Sequence, residues 1–128
     1  MTQEEFKTLN ILKEKLDNDV NNLWSYLKEK HLDCLKFGKY SSFHHYNFYR
    51  NEICIEYNDY GCDYYDSSEI DVPTNEFIDQ PTEWADEWAN SIREEKKKEM
   101  EEQIKQNEKK EREILKRSKE KYEQLKGK

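Results

Sequence analysis

Apolar residues recur at steps of three and four near the start of the chain. In order they are Phe6, Leu9, Leu12, Leu16, Val20, Leu23, Trp24 and Leu27. This spacing draws one apolar stripe along a helix. Thr2 followed by Glu5 matches the capping box that starts a helix, so the pattern predicts a helix over residues 3–30. Such a stripe either covers the core of its own domain or binds a partner, and core packing is the favoured interpretation.

The middle of the chain, residues 35–72, changes to aromatic and β-branched residues broken by short polar turns. Segments of this kind are typical of strands. Four strands are predicted, at residues 34–40, 43–49, 52–57 and 62–72. The third alternates, which places Ile53 and Ile55 on one face and Cys54 and Glu56 on the other. The result is an antiparallel β-meander with the first helix across one face.

Turn and helix-start residues set the boundaries of these elements. Arg50 and Asn51 make a tight connection, in which asparagine tolerates the positive φ that short hairpins need. Pro73 ends the last strand. Asp79 is a candidate cap for a new helix, and Pro81 suits the first turn of that helix. Its apolar face is predicted to pack on the rest of the domain through Trp84, Ala85, Trp88, Ala89 and Ile92.

Residues 93–128 differ in composition from everything before them. They contain 14 Lys and Arg, 10 Asp and Glu and no Pro, and most are strong helix formers. Their apolar residues are too sparse for a sustained heptad seam: Met100, Ile104, Ile114, Leu115, Tyr122 and Leu125. A solvated single helix is favoured, with weak self-association or a partner-dependent coiled coil as the alternative. The fold class is therefore predicted to be α+β, with an acidic head at 1–92 and a charged helical tail at 93–128 that continues a helix from about residue 81.

Composition indicates the cellular compartment in which the protein acts. The head holds 16 of the 17 aromatic residues, which indicates a single core. The first residues, MTQEEF, have no basic or apolar segment of a secretory signal, and no apolar run approaches the roughly 20 residues that cross a bilayer. Three cysteines without an export signal are typical of reduced thiols. A cytoplasmic protein without membrane contact is predicted.

Charge is distributed unevenly and indicates where a partner binds. The head carries a net charge of −11 and the tail +4, and no Lys or Arg occurs between Arg50 and Arg93. Tyrosines alternate with the acids there, and such a surface repels nucleic acid but attracts a basic groove on another protein. The competing interpretation is that the carboxylates only keep the sheet soluble. The predicted partner-binding residues are Glu56, Tyr57, Asp59, Tyr60, Asp63, Tyr64, Tyr65, Asp66 and Glu69.

Other chemistries find little support in the sequence. None of the histidines, His31, His44 and His45, lies in a nucleophile or triad motif. Zinc ligation by Cys54 and Cys62 with the histidine pair is disfavoured, because no C-x-x-C pair exists. The acids near Gly61 lack the ligand order of an EF-hand. We therefore predict no enzyme activity, metal, cofactor or small-molecule substrate, and the mixed charges of the tail disfavour direct nucleic-acid binding.

Three segments follow one another in the second half of the chain: ICIEYNDYGCDYYDSSEIDVP, then EFIDQPTEWADEW, then a Lys/Glu-rich helix. This order resembles that of small bacteriophage accessory proteins. The resemblance implies an accessory product acting in a bacterial host cytoplasm and carries no catalytic residues across. That class includes inhibitors of host defence, such as anti-CRISPR proteins that occupy basic nucleic-acid channels. Two hypotheses follow: an acidic module that binds a basic host protein such as a defence nuclease, or a scaffold that acts through its C-terminal helix in a coiled coil.

Overall fold

A computed structural model describes residues 1–61 and 66–126. The elements are helix α1 (Gln3–Lys30), strands β1 (Ser41–Phe48), β2 (Glu52–Asp59) and β3 (Ser67–Pro73), and helices α2 (Thr74–Asp79) and α3 (Pro81–Lys126). The chain divides into two units, Met1–Asn90 and one that begins at Ser91. The predicted α+β fold, with an N-terminal helix, an antiparallel sheet and a long C-terminal helix, is confirmed.

The three strands form one antiparallel sheet in the order β1-β2-β3. Ile53 pairs with Val72 and Ile55 with Ile70, so the apolar residues of β2 and β3 share one face. The core lies on that face, against apolar residues of all three helices. Its buried members are Val20, Leu23, Trp24, Leu27, Leu35, Ile53, Ile55, Tyr57, Ile70, Val72, Phe77 and Ala85.

Helix α1 begins as predicted, because the Thr2 Oγ1 accepts a hydrogen bond from the Glu5 N–H at 3.1 Å. Only its C-terminal half packs on the core, however. Leu27 is fully buried, whereas Leu9 is 49% exposed on the same stripe. The 28-residue helix is about 42 Å long, and an eight-residue strand spans only about 26 Å. The sheet is therefore too short to cover the whole stripe.

The predicted strand at residues 34–40 is wrong. Its first residue ends one single helical turn, Leu32–Cys34, and its last three residues form another, Gly38–Tyr40. Its backbone amides bond locally, as the Gly38 N–H does to the Leu35 carbonyl at 3.1 Å. Gly38 has a φ of +55°, which a strand does not allow. The sequence predicts a strand here because the segment contains the same apolar residue types that are buried in strands.

Two further predictions about the sheet need correction, one for a strand and one for a turn. Of the predicted strand 62–72, the structure shows β3 from Ser67, and residues 62–65 lie outside the described residues. Asn51 does not adopt a positive φ, and neither does any other non-glycine residue that the structure describes. The β1–β2 turn is closed instead by the Tyr49 N–H, which donates to the Glu52 carbonyl at 2.8 Å.

Asp86 joins the end of α1 to the first turns of α3. The Tyr26 hydroxyl donates to an Asp86 carboxylate oxygen at 2.7 Å. The Nε2 atom of the buried His31 lies 2.7 Å from the same oxygen. The hydrogen bond to Asp86 raises the pKa of Tyr26, because it favours the neutral phenol. A buried imidazole and a phenol therefore share one acceptor.

A second polar contact joins the sheet to α1 and predicts a loss of stability in alkali. The Tyr46 hydroxyl on β1 donates to the Asp17 carboxylate on α1. Burial, and then this hydrogen bond, raise the pKa of Tyr46 from 10.0 to about 12. The neutral phenol is the stabilised form, so its contribution is complete below the unfolded pKa and is lost as pH rises through the folded one. We expect ultraviolet titration of the wild type to include a late tyrosine ionisation, with a pKa of about 12, that belongs to Tyr46.

The matched variants for this titration are Tyr46→Phe and Tyr49→Phe. Tyr49 is exposed on the same β-hairpin. The late ionisation should disappear in the first variant and persist in the second. If Tyr46→Phe instead loses an ionisation near the ordinary tyrosine pKa of 10.0 and keeps the late one, the Asp17 contact does not hold in solution.

Candidate partner-binding face of the sheet

One face of the sheet carries no residue of the buried core cluster, and we call it the outer sheet face. Strand geometry assigns alternate residues to it, because neighbours along a strand point to opposite faces. The core residues Ile53, Ile55 and Tyr57 take the inner face of β2. The register of the pairs then defines the outer sheet face as Ser42, His45, Asn47, Glu52, Cys54, Glu56, Asn58, Ser67, Glu69, Asp71 and Pro73.

Two glutamates lie directly opposite each other at the centre of this face. Glu56 on β2 pairs with Glu69 on β3, and Cys54 pairs with Asp71 in the next step of the ladder. Among the described residues, none of these carboxylates forms an ion pair with Lys or Arg. Like charges directly opposite each other destabilise a sheet. The outer sheet face therefore carries negative charge that no lysine or arginine of residues 1–61 and 66–126 neutralises.

A bulge in β1 places a histidine beside one glutamate. The register shifts between Phe43 and His45, so that His45 pairs with Glu56. The His45 Nε2 lies 3.1 Å from the Glu56 Oε2. The neighbouring His44 ring packs edge-on against His45, with centroids 4.5 Å apart. His45 is therefore the one basic group that contacts the Glu56 carboxylate within the described part of the chain.

Cys54 lies in the middle of the outer sheet face and is only 5% exposed. Its Sγ donates to the Glu69 Oε2 at 3.1 Å. Burial raises the pKa of the Cys54 thiol well above its usual range, and hydrogen bonds to Glu69 and Asp71 raise it further. The thiol is therefore protonated at neutral pH. A protonated, buried thiol is a poor nucleophile.

Comparison with protein-family models, with curated proteins and with solved structures finds no match to this chain. No helix in the described residues is both long and apolar enough to cross a membrane.

A second group of predicted site residues lies where β2 ends and β3 begins. The Asp59 N–H donates to the Asp66 carbonyl at 3.0 Å, which joins the two strand ends. Tyr60 is 65% exposed, and its ring packs edge-on against Tyr40 with centroids 6.0 Å apart. The Lys36 Nζ lies 3.7 Å from the Asp66 carboxylate, but an ion pair between two exposed side chains contributes little to stability. This end of the hairpin presents carboxylates beside an exposed aromatic ring.

The prediction that Tyr57 belongs to the partner-binding surface is wrong. Tyr57 is 3% exposed on the inner face, with its ring centroid 5.3 Å from that of Trp24 and 5.7 Å from that of Phe37. Its hydroxyl oxygen accepts a hydrogen bond from the Lys36 N–H at 3.1 Å. The other described members reach the surface at least in part: Glu56, Asp59, Tyr60, Asp66 and Glu69. Asp63, Tyr64 and Tyr65 lie outside the described residues.

The structure adds residues that were missing from the predicted site. Cys54 lies two positions before Glu56 on β2, and Asp71 lies two positions after Glu69 on β3. All four side chains therefore share the outer sheet face. That spacing was visible in the sequence and indicates a shared face. The pairing register, which places Glu56 opposite Glu69, was not visible. His45 reaches the group only through the bulge in β1.

Proposed function

We propose that the outer sheet face and the adjoining β2–β3 end bind a basic surface on a partner protein. The observation that carries the proposal is the direct pairing of Glu56 with Glu69, neither of which contacts a Lys or Arg in the described residues. A cross-strand pair of like charges costs stability in the free protein. A basic partner would offset that cost on binding, and charge complementarity would also speed the encounter.

The exposed ring of Tyr60 supports the same surface. Tyrosine is enriched at interfaces, because its rigid ring gives contact area at low entropic cost. It stands beside Asp59 and Asp66, so apolar contact and negative charge adjoin each other. A groove built to hold nucleic-acid phosphates offers the complementary chemistry. With the resemblance to bacteriophage accessory proteins, this points to a non-enzymatic inhibitor of a host defence nuclease, acting in the bacterial cytoplasm.

Charge reversal tests this proposal. The double variant Glu56→Lys/Glu69→Lys replaces the central pair, and Glu101→Lys/Glu102→Lys makes the same charge change on exposed tail residues. In pull-downs from bacterial lysate we expect the wild type and the tail variant to retain a basic protein at low salt. High salt and a duplex DNA competitor should both release it. Titration of that purified protein should show the central variant binding at least about 100-fold more weakly, because like charges are brought together.

Equal affinity of the two double variants would contradict the proposal. Retention that resists both salt and DNA would also contradict it. Far-UV circular dichroism of each variant checks that the loss of binding is not a loss of fold.

A scaffold function through the tail is the second candidate. It is favoured by the exposure of every large apolar residue of α3 beyond Ile92: Met100, Ile104, Ile114, Leu115, Tyr122 and Leu125. Salt distinguishes the two functions in the same pull-down, since a coiled coil is held by apolar contacts. A salt-resistant partner that Ile104→Ser/Leu115→Ser releases would establish the scaffold instead.

A further inference from the structure

Three side chains of the outer sheet face bring together the donor atoms of a metal site. The Cys54 thiol and the Glu56 and Glu69 carboxylates each offer one atom, and these atoms all lie within 4.8 Å of one another. We propose that Cys54, Glu56 and Glu69 bind a zinc-class divalent cation on the outer sheet face. The inference shares the Glu56 and Glu69 carboxylates with the proposed binding surface, but it needs no partner protein and is measured on the protein alone.

The spacing of the donors suits a tetrahedral ion. Zinc bonds of about 2.0–2.3 Å separate neighbouring ligand atoms by about 3.3–3.8 Å. The Cys54 Sγ and the Glu69 Oε2 are already 3.1 Å apart. The backbones that carry the donors are held by the β2–β3 ladder, in which Glu56 and Glu69 are direct partners. Small side-chain rotations are therefore enough to form three metal bonds.

The mixture of donors selects the kind of cation. Calcium and magnesium prefer sites built wholly of oxygen, whereas a thiolate favours zinc and related borderline ions. Three protein ligands leave the fourth position of a tetrahedron for water. His45 supports the site from outside, because its Nε2 lies 3.1 Å from the Glu56 Oε2. Hydrogen-bonded partners of this kind orient ligating carboxylates.

The buried thiol distinguishes this cluster from an ordinary group of surface acids. Cys54 is enclosed, and its sulfur is directed at a carboxylate. A bound divalent ion takes the thiol as a thiolate, since a coordinating thiol loses its proton. On binding, the sulfur–hydrogen bond breaks, the proton passes to solvent and a sulfur–metal bond forms, with no change of oxidation state.

Cobalt(II) titration tests the site, because a cobalt–thiolate bond absorbs in the near ultraviolet. The full chain is used reduced and metal-free, with Cys62→Ser as background, so that Cys34 and Cys54 are the remaining thiols. We expect one equivalent of cobalt to give the thiolate absorption and zinc to displace it. Cys54→Ser should abolish the absorption, and Glu69→Gln should weaken cobalt binding at least about tenfold. Cys34→Ser, at a buried thiol that donates to the Ala89 carbonyl, should leave it unchanged.

The proton balance supplies a second readout. One proton is displaced per ion, so cobalt affinity should fall as the solution is acidified. The proposal is overturned if the folded background protein shows no thiolate absorption, or if that absorption survives in Cys54→Ser. If Cys54→Ser fails to fold, Glu56→Gln and Glu69→Gln decide, and unchanged affinity in both overturns the proposal. The pull-down, run with a chelator, reports on the acidic surface separately.

Discussion

Replacing Tyr57 by alanine is expected to destabilise the protein by about 3–5 kcal/mol, the usual cost of removing a buried aromatic ring. The ring is 3% exposed and packs against Trp24 and Phe37. Its removal leaves a cavity beside the rings of Trp24 and Phe37. The Lys36 N–H also loses the hydroxyl that accepts its hydrogen bond. Chemical denaturation of the purified variant measures the free energy of unfolding.

Tyr60→Ala is the matched control for Tyr57→Ala. Tyr60 is exposed at the end of the same strand, and surface substitutions usually change stability by less than about 0.5 kcal/mol. Tyr57→Phe removes the hydroxyl but keeps the ring, so it should lower the free energy of unfolding by about 1 kcal/mol. A near-neutral Tyr57→Ala would show that the ring is not in the core. Weaker partner binding by a stably folded Tyr57→Phe would return this residue to the binding surface.

Leu27→Ala is expected to cost about 2–5 kcal/mol, whereas Leu9→Ala should cost less than about 0.5 kcal/mol. Both residues belong to the same apolar stripe of α1, so helix propensity and chemistry are matched. Leu27 is fully buried against the sheet, and Leu9 lies on the half of the helix that extends beyond the core. The difference between the two costs therefore measures tertiary packing alone.

Thermal or urea denaturation of the two leucine variants checks this expectation. Equal costs would mean that the first half of α1 is covered in solution, by another copy or by another part of the chain. Concentration dependence of the midpoint would then identify self-association.

The long elements were predictable because their signals are local. The stripe and the capping box defined α1, and strong helix formers without proline defined α3. The strands at Phe43 and Glu52 were found within two residues at their starts, since β-branched and aromatic alternation is also local. The turns at residues 34–40 are not predicted, because this segment has the apolar composition of a buried strand. Its backbone amides nevertheless bond to near neighbours along the chain.

The candidate site was only partly predictable. Acidic composition identified Glu56 and Glu69, but no periodic signal shows which positions face each other across two strands. Register decides that Cys54 lies against Glu69, and a bulge decides that His45 reaches Glu56. The tyrosine-rich, acidic composition places Tyr57 on the surface, because tyrosine is common on binding faces, although Tyr57 shares the strand parity of Ile53 and Ile55.

The sequence by itself determined helices α1 and α3, the antiparallel sheet, and a stretch from Arg50 to Arg93 without any intervening Lys or Arg. These properties depend on residue type and near-neighbour spacing. Tertiary structure alone decided that half of α1 is exposed, that Tyr57 is core, and that a thiol and two carboxylates meet on one face. Those properties depend on strand register and on the length of sheet available to cover a helix. Both are set by contacts between residues distant in sequence.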